Sequence, residues 1–247
     1  MIANPALVEV PAVFFVASVV RSCFGFGEAL IAVPLLALVL PVEVAAPVAV
    51  LVSITVALIV VVQDWRHVHA RSALRLVLST LAGIPLGLLL LKTVPEALVK
   101  TALALVVLAF SLYALLGPKR EALRTDRLAW LFGFGAGVLG GACGMNGPPL
   151  AIYGSLRGWS PRHFRATLQG YFLPASLLGM SGYWAAGLWT QAVSRFYLLS
   201  LPLVLVGVFL GRAIHHRIEA GRFETFVHAA LLTIGAVLLW QALSHIG

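Results

Sequence analysis

Apolar runs of roughly 16 to 22 residues recur from one end of the chain to the other, and runs that long leave lipid as the only solvent for most side chains. Of the 247 residues, 61% are hydrophobic and 11% are charged. A soluble domain carries about 25% charged residues. The chain therefore reads as an integral membrane protein with no soluble domain. Its formal net charge of +8 does not point to nucleic acid, because the basic residues sit at the ends of apolar runs, where they report orientation in a bilayer. No secretory signal is expected: the first basic residue is Arg21, and Glu9 stands where a positive leader region would be needed. Two cysteines, Cys23 and Cys143, make neither a disulfide framework nor a metal quartet. Trp65, Trp130, Trp159, Trp184, Trp189 and Trp240 fall near segment ends, as an interfacial belt requires.

Full-length spans are predicted at about 44–62, 73–92, 97–116, 166–187, 196–212 and 223–243. Residues 6–41 and 128–156 differ, for each contains two apolar arms joined by a polar, glycine-rich break, "CFGFGEA" and "CGMNGPP". The arms run to about 16 and 12 residues in the first region and about 15 and 9 in the second, short of the ~20 that cross a bilayer. Gly25-Phe26-Gly27-Glu28 aligns with Gly144-Met145-Asn146-Gly147 at an offset of 119, and "GIPLG" (Gly83, Gly87) resembles "GVFLG" (Gly207, Gly211). The expected organisation is a first transmembrane repeat at 1–117, a charged cytoplasmic linker at 118–126 and a second repeat at 127–247. Each repeat is one broken segment followed by three spans.

Loop charges test the topology. If each broken segment crosses once, the charges divide evenly between the two faces. If each is a re-entrant hairpin, one face collects Arg66, Arg71, Arg75, Lys119, Arg120, Arg124, Arg127, Arg157, Arg162, Arg165, Arg212, Arg217 and Arg222. The other keeps Lys92, Lys100 and Arg195. That asymmetry is what the positive-inside rule leads one to expect. The charge-rich face is then cytoplasmic, both termini are extracytoplasmic, and the repeats are inverted. The fold class expected is an all-α polytopic membrane protein of two inverted repeats, each a broken helical hairpin plus three transmembrane helices.

Non-helical backbone at membrane depth survives only where protein or a wet cavity satisfies its polar groups. Gly25, Gly27, Gly144 and Gly147 permit the breaks, and Pro148-Pro149 suits the first turn of a restarting helix. Each restarting helix offers unpaired N–H groups and a positive dipole end. Two such ends make a site for an anion, assembled from backbone.

Those same residues carry a resemblance. "GFGEALIAVPLL" resembles the first-half signature of the TauE/SafE family of sulfite exporter or sulfonate-permease proteins, a G-x-G followed by small residues and then v-P-x-L. "GGACGMNGPPLAIYG" is similar to the second-half counterpart, with Gly140, Gly141, Gly144, Gly147, Pro148, Pro149 and Tyr153 fitting, and "FRATLQGYF" resembles the stretch just downstream of that motif. The resemblance covers nearly the whole chain. It implies a multi-pass inner-membrane carrier for small sulfur-containing anions such as sulfite or organosulfonates. Glu28 departs from the pattern, since many members carry a small or apolar residue there.

Substrate contacts are expected from Arg21, Ser22, Gly25, Phe26, Gly27, Ala29, Gly144, Met145, Asn146, Gly147, Pro148 and Tyr153. Glu28 is the candidate for proton coupling, because an ionisable group at that depth costs about 3 kcal/mol on insertion scales. A structural pair with Arg21, or capping of the helix start, would explain Glu28 equally simply. Arg21 either lends its charge to the cargo or pairs with Glu28. Asn146 either touches substrate or satisfies interrupted backbone. Cys23 and Cys143 read as small packing residues, with thiol chemistry as the alternative. Arg162, His163 and Arg165 either draw anions to the mouth or anchor the chain. His67, His69, His215 and His216 lack further ligands for a metal. Gly135-x-Gly137-x-x-Gly140 matches a dinucleotide fingerprint as a string only, and close helix packing explains those glycines better.

The function these readings favour is secondary transport of a small anion, by alternating access at a midplane site between the breaks. An anion channel or a membrane-embedded thiol enzyme are the alternatives. No catalytic residue, cofactor or metal is expected. The partners expected are a small-molecule anion and the lipid bilayer, with a homodimer left open and no nucleic acid.

Overall fold

The computed structural model describes residues 5–64, 70–117, 126–215 and 220–244. Trp65, Arg66, His67, His69, Lys119, Arg120, Arg124, His216 and Arg217 lie outside them, as do the side chains of Arg162, His215 and Arg222. The described residues form ten helices: α1 (Ala6–Phe24), α2 (Glu28–Ala37), α3 (Val42–Asp64), α4 (Ala70–Thr93), α5 (Glu96–Leu116), α6 (Ala129–Cys143), α7 (Gly147–Leu156), α8 (Pro161–Ala185), α9 (Gln191–His215) and α10 (Ala220–Ser244). The protein is all-α. Six helices, α1, α3, α4, α5, α9 and α10, are long and apolar enough to cross a membrane. At 25 residues α8 has the length, but Arg165 and Gln169 lower its apolarity.

The expected short first arm is in fact a 19-residue helix. Its polar residues mark no end: Ser18, Arg21 and Ser22 are 0%, 3% and 2% exposed, turned into the protein. The breaks themselves fall where the glycines put them. Gly25 (φ 86°) and Gly27 (φ 100°) carry the chain from α1 into α2, and Gly144 (φ 66°) ends α6. At α6 the amides of Gly144 and Met145 return to the carbonyls of Gly140 and Leu139, the left-handed closure that glycine permits.

Hairpin α6–α7 is fastened at its open end by Asp126, just before α6. Its carboxylate accepts a hydrogen bond from the Tyr153 hydroxyl on α7 (2.8 Å) and pairs with Arg157 just past α7 (3.1 Å). Ser72 and Arg75 of α4 meet the same carboxylate. In hairpin α1–α2, α1 descends beside α9 until the Cys23 thiol donates to the Gly211 carbonyl (3.3 Å). Phe26 then packs edge-on against Phe110 and Phe164, and α2 returns until the Leu38 carbonyl accepts from Gln241 near the end of α10 (3.3 Å).

Lipid supplies little hydrophobic drive between helices, so close approach of small residues does the packing. Helix α4 lies along α6, α9 along α1, α10 along α5, and α3 against α8. A Cβ on Gly83 would come within 2.9 Å of Gly137 Cα, and one on Gly87 within 2.9 Å of Gly141 Cα. The matching seam sets Gly207 and Gly211 of α9 on α1, where a Cβ on Gly211 would meet Val19 Cα at 3.1 Å. On α6 the stripe runs through Gly133, Gly137 and Gly141, whereas Gly135 has nothing within 4 Å. Trp130, Trp184, Trp189 and Trp240 are exposed near helix ends, and Trp159 turns inward onto Tyr153 (centroids 5.6 Å).

Candidate functional site

The first break contains a buried ionic knot. Arg21, on the last turn of α1, pairs with Glu28, the first residue of α2, and the two are 3% and 1% exposed. The Arg21 guanidinium also donates to Ser53 Oγ of α3 (2.8 Å) and to Gln169 Oε1 of α8 (2.9 Å). It lies over the Phe172 ring, 5.0 Å from the centroid. The Gln169 amide in turn donates to the Gly25 carbonyl (2.6 Å), satisfying the broken backbone. Ser176 extends the chain of contacts to Ser53 (3.2 Å).

The knot is incomplete. Glu28 Oε1 and Arg21 Nε are buried without a hydrogen-bond partner among the described residues. Glu28 does not cap α2: Gly27 occupies that position, and no side chain makes a cap bond. Glu28 instead places its charge in the first turn, where the helix dipole favours an anion.

The second break is neutral. Asn146, 8% exposed, precedes α7 and lies against Gly140, whose added Cβ would be 3.0 Å from Asn146 Nδ2. The Asn146 side chain interacts with Tyr171 of α8, whose hydroxyl shares a 2.7 Å hydrogen bond with Thr80 of α4. Tyr183 of α8 donates to the carbonyls of Gly140 and Gly141 (2.8 and 3.0 Å). Gly144 fits against Ala46 of α3, Met145 is fully buried, and Gly147 has open space around it. Pro148 is buried in the first turn of α7.

The two helix starts are unequal as anion sites. A helix leaves its first four amides without intrahelical partners. At α2 these belong to Gly27, Glu28, Ala29 and Leu30, all of which carry N–H. At α7 they belong to Asn146, Gly147, Pro148 and Pro149, and the prolines have no N–H to give.

The structure thus brings Arg21, Glu28 and Gly25 together, and α8 borders both breaks while α2 touches α7. Phe26 makes aromatic contacts, and Ala29 is half-buried against the core. Tyr153 lies apart, with its hydroxyl on Asp126 and its ring against Phe132 (5.6 Å). Ser22 faces away from the knot, into a small pocket beside Arg165 and Arg212. Both cysteines are buried free thiols, and His163 is held by Ser160 (2.8 Å). Among the described residues, no group of three or more His, Cys, Asp or Glu is placed to hold a metal.

Ser53, Gln169, Phe172, Ser176, Thr80, Tyr171 and Tyr183 were not singled out by sequence reasoning. Gln169 had two signals, an amide inside a predicted span and a place, with Tyr171 and Phe172, in the quoted stretch "FRATLQGYF". At the open end of hairpin α6–α7, the Asp126 carboxyl is raised by partial burial. The Tyr153 hydroxyl and the Arg157 and Arg75 charges outweigh that, and its pKa is net lowered.

A family model described as Sulfite exporter TauE/SafE matches residues 10–238. No curated protein matches the chain, and no solved structure does.

Proposed function

Because the chain belongs to the sulfite exporter TauE/SafE family, we propose that this multi-pass membrane protein is a proton-coupled secondary carrier of small sulfur oxyanions. The family and the six apolar helices support membrane transport of a sulfur anion; the route and the coupling are our reading. The observation that carries it is the incomplete ion pair at the first break, with Glu28 Oε1 and Arg21 Nε lacking partners among the described residues.

A buried charge must remain compensated, because an unpaired one costs several kcal/mol (about 3–5 when one partner is removed). Two arrangements around Arg21 meet that condition. In one, ionised Glu28 neutralises Arg21. In the other, Glu28 carries a proton and the cargo anion neutralises Arg21, helped by the free amides that begin α2. Each is electrically balanced, so exchanging them moves one anion with one proton. The cargo competes with Glu28 for the guanidinium, and loss of the proton re-forms the pair and expels the cargo. Ser53 and Gln169 steer the guanidinium in both states.

In this reading the two halves are inverted repeats that rock about the site and give alternating access. In support, hairpin α6–α7 opens at the end carrying Asp126, Arg75 and Arg157. Hairpin α1–α2 runs toward that end and back. The arginine-rich end is then cytoplasmic in the inner membrane, and both termini are outside.

The test is sulfite flux into proteoliposomes under imposed pH gradients. The intact protein should respond to an inward proton gradient. Glu28→Gln, with Arg21 left for the anion at every pH, should retain anion exchange and lose that response. A Glu28→Gln protein with unchanged pH dependence refutes the coupling.

A further inference from the structure

Gln169 stands where the ionic knot meets the broken backbone. It lies on α8, 1% exposed, and both ends of its side-chain amide are engaged. Its Oε1 accepts from the Arg21 guanidinium (2.9 Å), and its Nε2 donates to the Gly25 carbonyl (2.6 Å). An amide fits there in one orientation. Turned over, it would set N–H groups against a guanidinium and an oxygen against a carbonyl, and neither contact is a hydrogen bond. The backbone N–H of Gly25 meanwhile donates to the Arg21 carbonyl (2.6 Å). Gly25 is thus tied to Arg21 at both of its polar groups, directly through its N–H and by way of Gln169 at its carbonyl. Gly25 (φ 86°) and Gly27 (φ 100°) form the joint between α1 and α2. Glycine occupies left-handed and right-handed backbone about equally readily, so the surroundings hold this joint in one shape.

We propose that Gln169 is a positioning residue that makes the shape of the joint follow the guanidinium of Arg21. While Arg21 pairs with Glu28, the amide is anchored and pins the Gly25 carbonyl. When the guanidinium turns from Glu28 to a cargo anion, the amide that steers it moves with it. The Gly25 carbonyl then follows or gives up its donor, and either way the joint between α1 and α2 changes shape. The inference rests on the transport reading, in which the cargo takes Arg21 from Glu28, and it adds how that exchange reaches the backbone. Gln169 in this role touches no cargo, so its loss slows the conversion between states and spares binding.

The test uses the full chain. In nanodiscs, hydrogen–deuterium exchange reads the amides of residues 24–31 with and without sulfite. In proteoliposomes, sulfite uptake under an inward proton gradient gives KM and the maximal rate. In the intact protein, sulfite should raise exchange across the break at least threefold. In Gln169→Leu, exchange should be high from the start and hardly respond to sulfite. Its KM should stay within threefold of the intact value while the maximal rate falls about tenfold, the size that one hydrogen bond to a charged group carries. A raised KM at unchanged maximal rate would make Gln169 a cargo contact and overturns the inference. So does a sulfite response in Gln169→Leu equal to that of the intact protein, and so does an intact protein whose break ignores sulfite, whatever its flux. A break that responds to sulfite, in a protein whose flux ignores the proton gradient, counts against the coupling by Glu28 and leaves the role of Gln169 standing. Should Gln169→Leu not fold, Gln169→Asn decides, because its amide is one methylene too short to reach both groups. An undiminished sulfite response there overturns the inference.

Discussion

The first break is held by an ion pair and the second by neutral hydroxyls and an amide, although both interrupt a helical hairpin and both border α8. At the first, Glu28 and Arg21 meet where four helix-start amides are available. At the second, two prolines remove half of those donors, Tyr183 donates to backbone carbonyls, and Asn146 meets Tyr171. A transporter with two equivalent half-sites would divide cargo binding equally between them. Here the buried ion pair lies at one break, and the other is closed by neutral groups. In the proposed mechanism, what protonation would change is confined to α1, α2 and the residues of α3 and α8 that touch them.

The largest expected effect comes from stripping the ionic break of its cation. Arg21→Met should lower stability by about 3–5 kcal/mol by leaving a buried carboxylate unpaired, read as a fall in melting temperature in detergent. Adding Glu28→Gln should restore much of it. If the single substitution melts like the intact protein, the two breaks do not differ electrostatically. Next is backbone strain. Gly27→Ala, at φ 100°, should cost about 1–3 kcal/mol, whereas Gly147→Ala, with a helical backbone and open space, should cost nearly nothing; equal losses would erase the distinction. Tyr183→Phe at the neutral break should cost about 1 kcal/mol and leave the pH dependence of transport intact. A changed pH profile there would mean that the second half takes part in proton movement.

The smallest effect is at Asp126, outside the breaks. Its pKa is lowered in the folded protein, so its contribution is complete above the ordinary carboxylate value near ~4 and fades as pH falls through the lower folded value. Asp126→Asn should therefore melt slightly below the intact protein at neutral pH, by up to about 1 kcal/mol, and the two curves should converge only in strong acid. A gap that persists there would point to lost packing and away from lost charge.

Much of the architecture was legible because bilayer length and glycine placement are local signals. Both breaks lie where the sequence puts them, and five of the six predicted spans coincide with long apolar helices. The sixth, 166–187, is α8, which falls short in apolarity, while α1, expected as a short arm, is long enough to cross. The pairing of Arg21 with Glu28 was also open to view, as two opposite charges seven residues apart in oil. The partners of that pair were not. Ser53 and Gln169 are 32 and 148 residues from Arg21, and a lone serine in an apolar span carries no mark of what it will touch. Tyr153 shows the converse, for its motif position suggested a pocket hydroxyl and the structure places it on Asp126. Only the return of α7 to the start of α6 brings those groups together.

The bond from Arg21 to Gln169 also has a consequence for how the protein is made. At about 5–20 residues per second, the ribosome delivers Gln169 roughly 7 to 30 seconds after Arg21. Until α3 is made the guanidinium has Glu28 alone to answer it, then Ser53 as well, and Gln169 completes the set only when α8 follows. The face of α1 that fits the α9 glycines waits longer still. The local ion pair is thus a provisional counter-charge during biogenesis, before it is anything else.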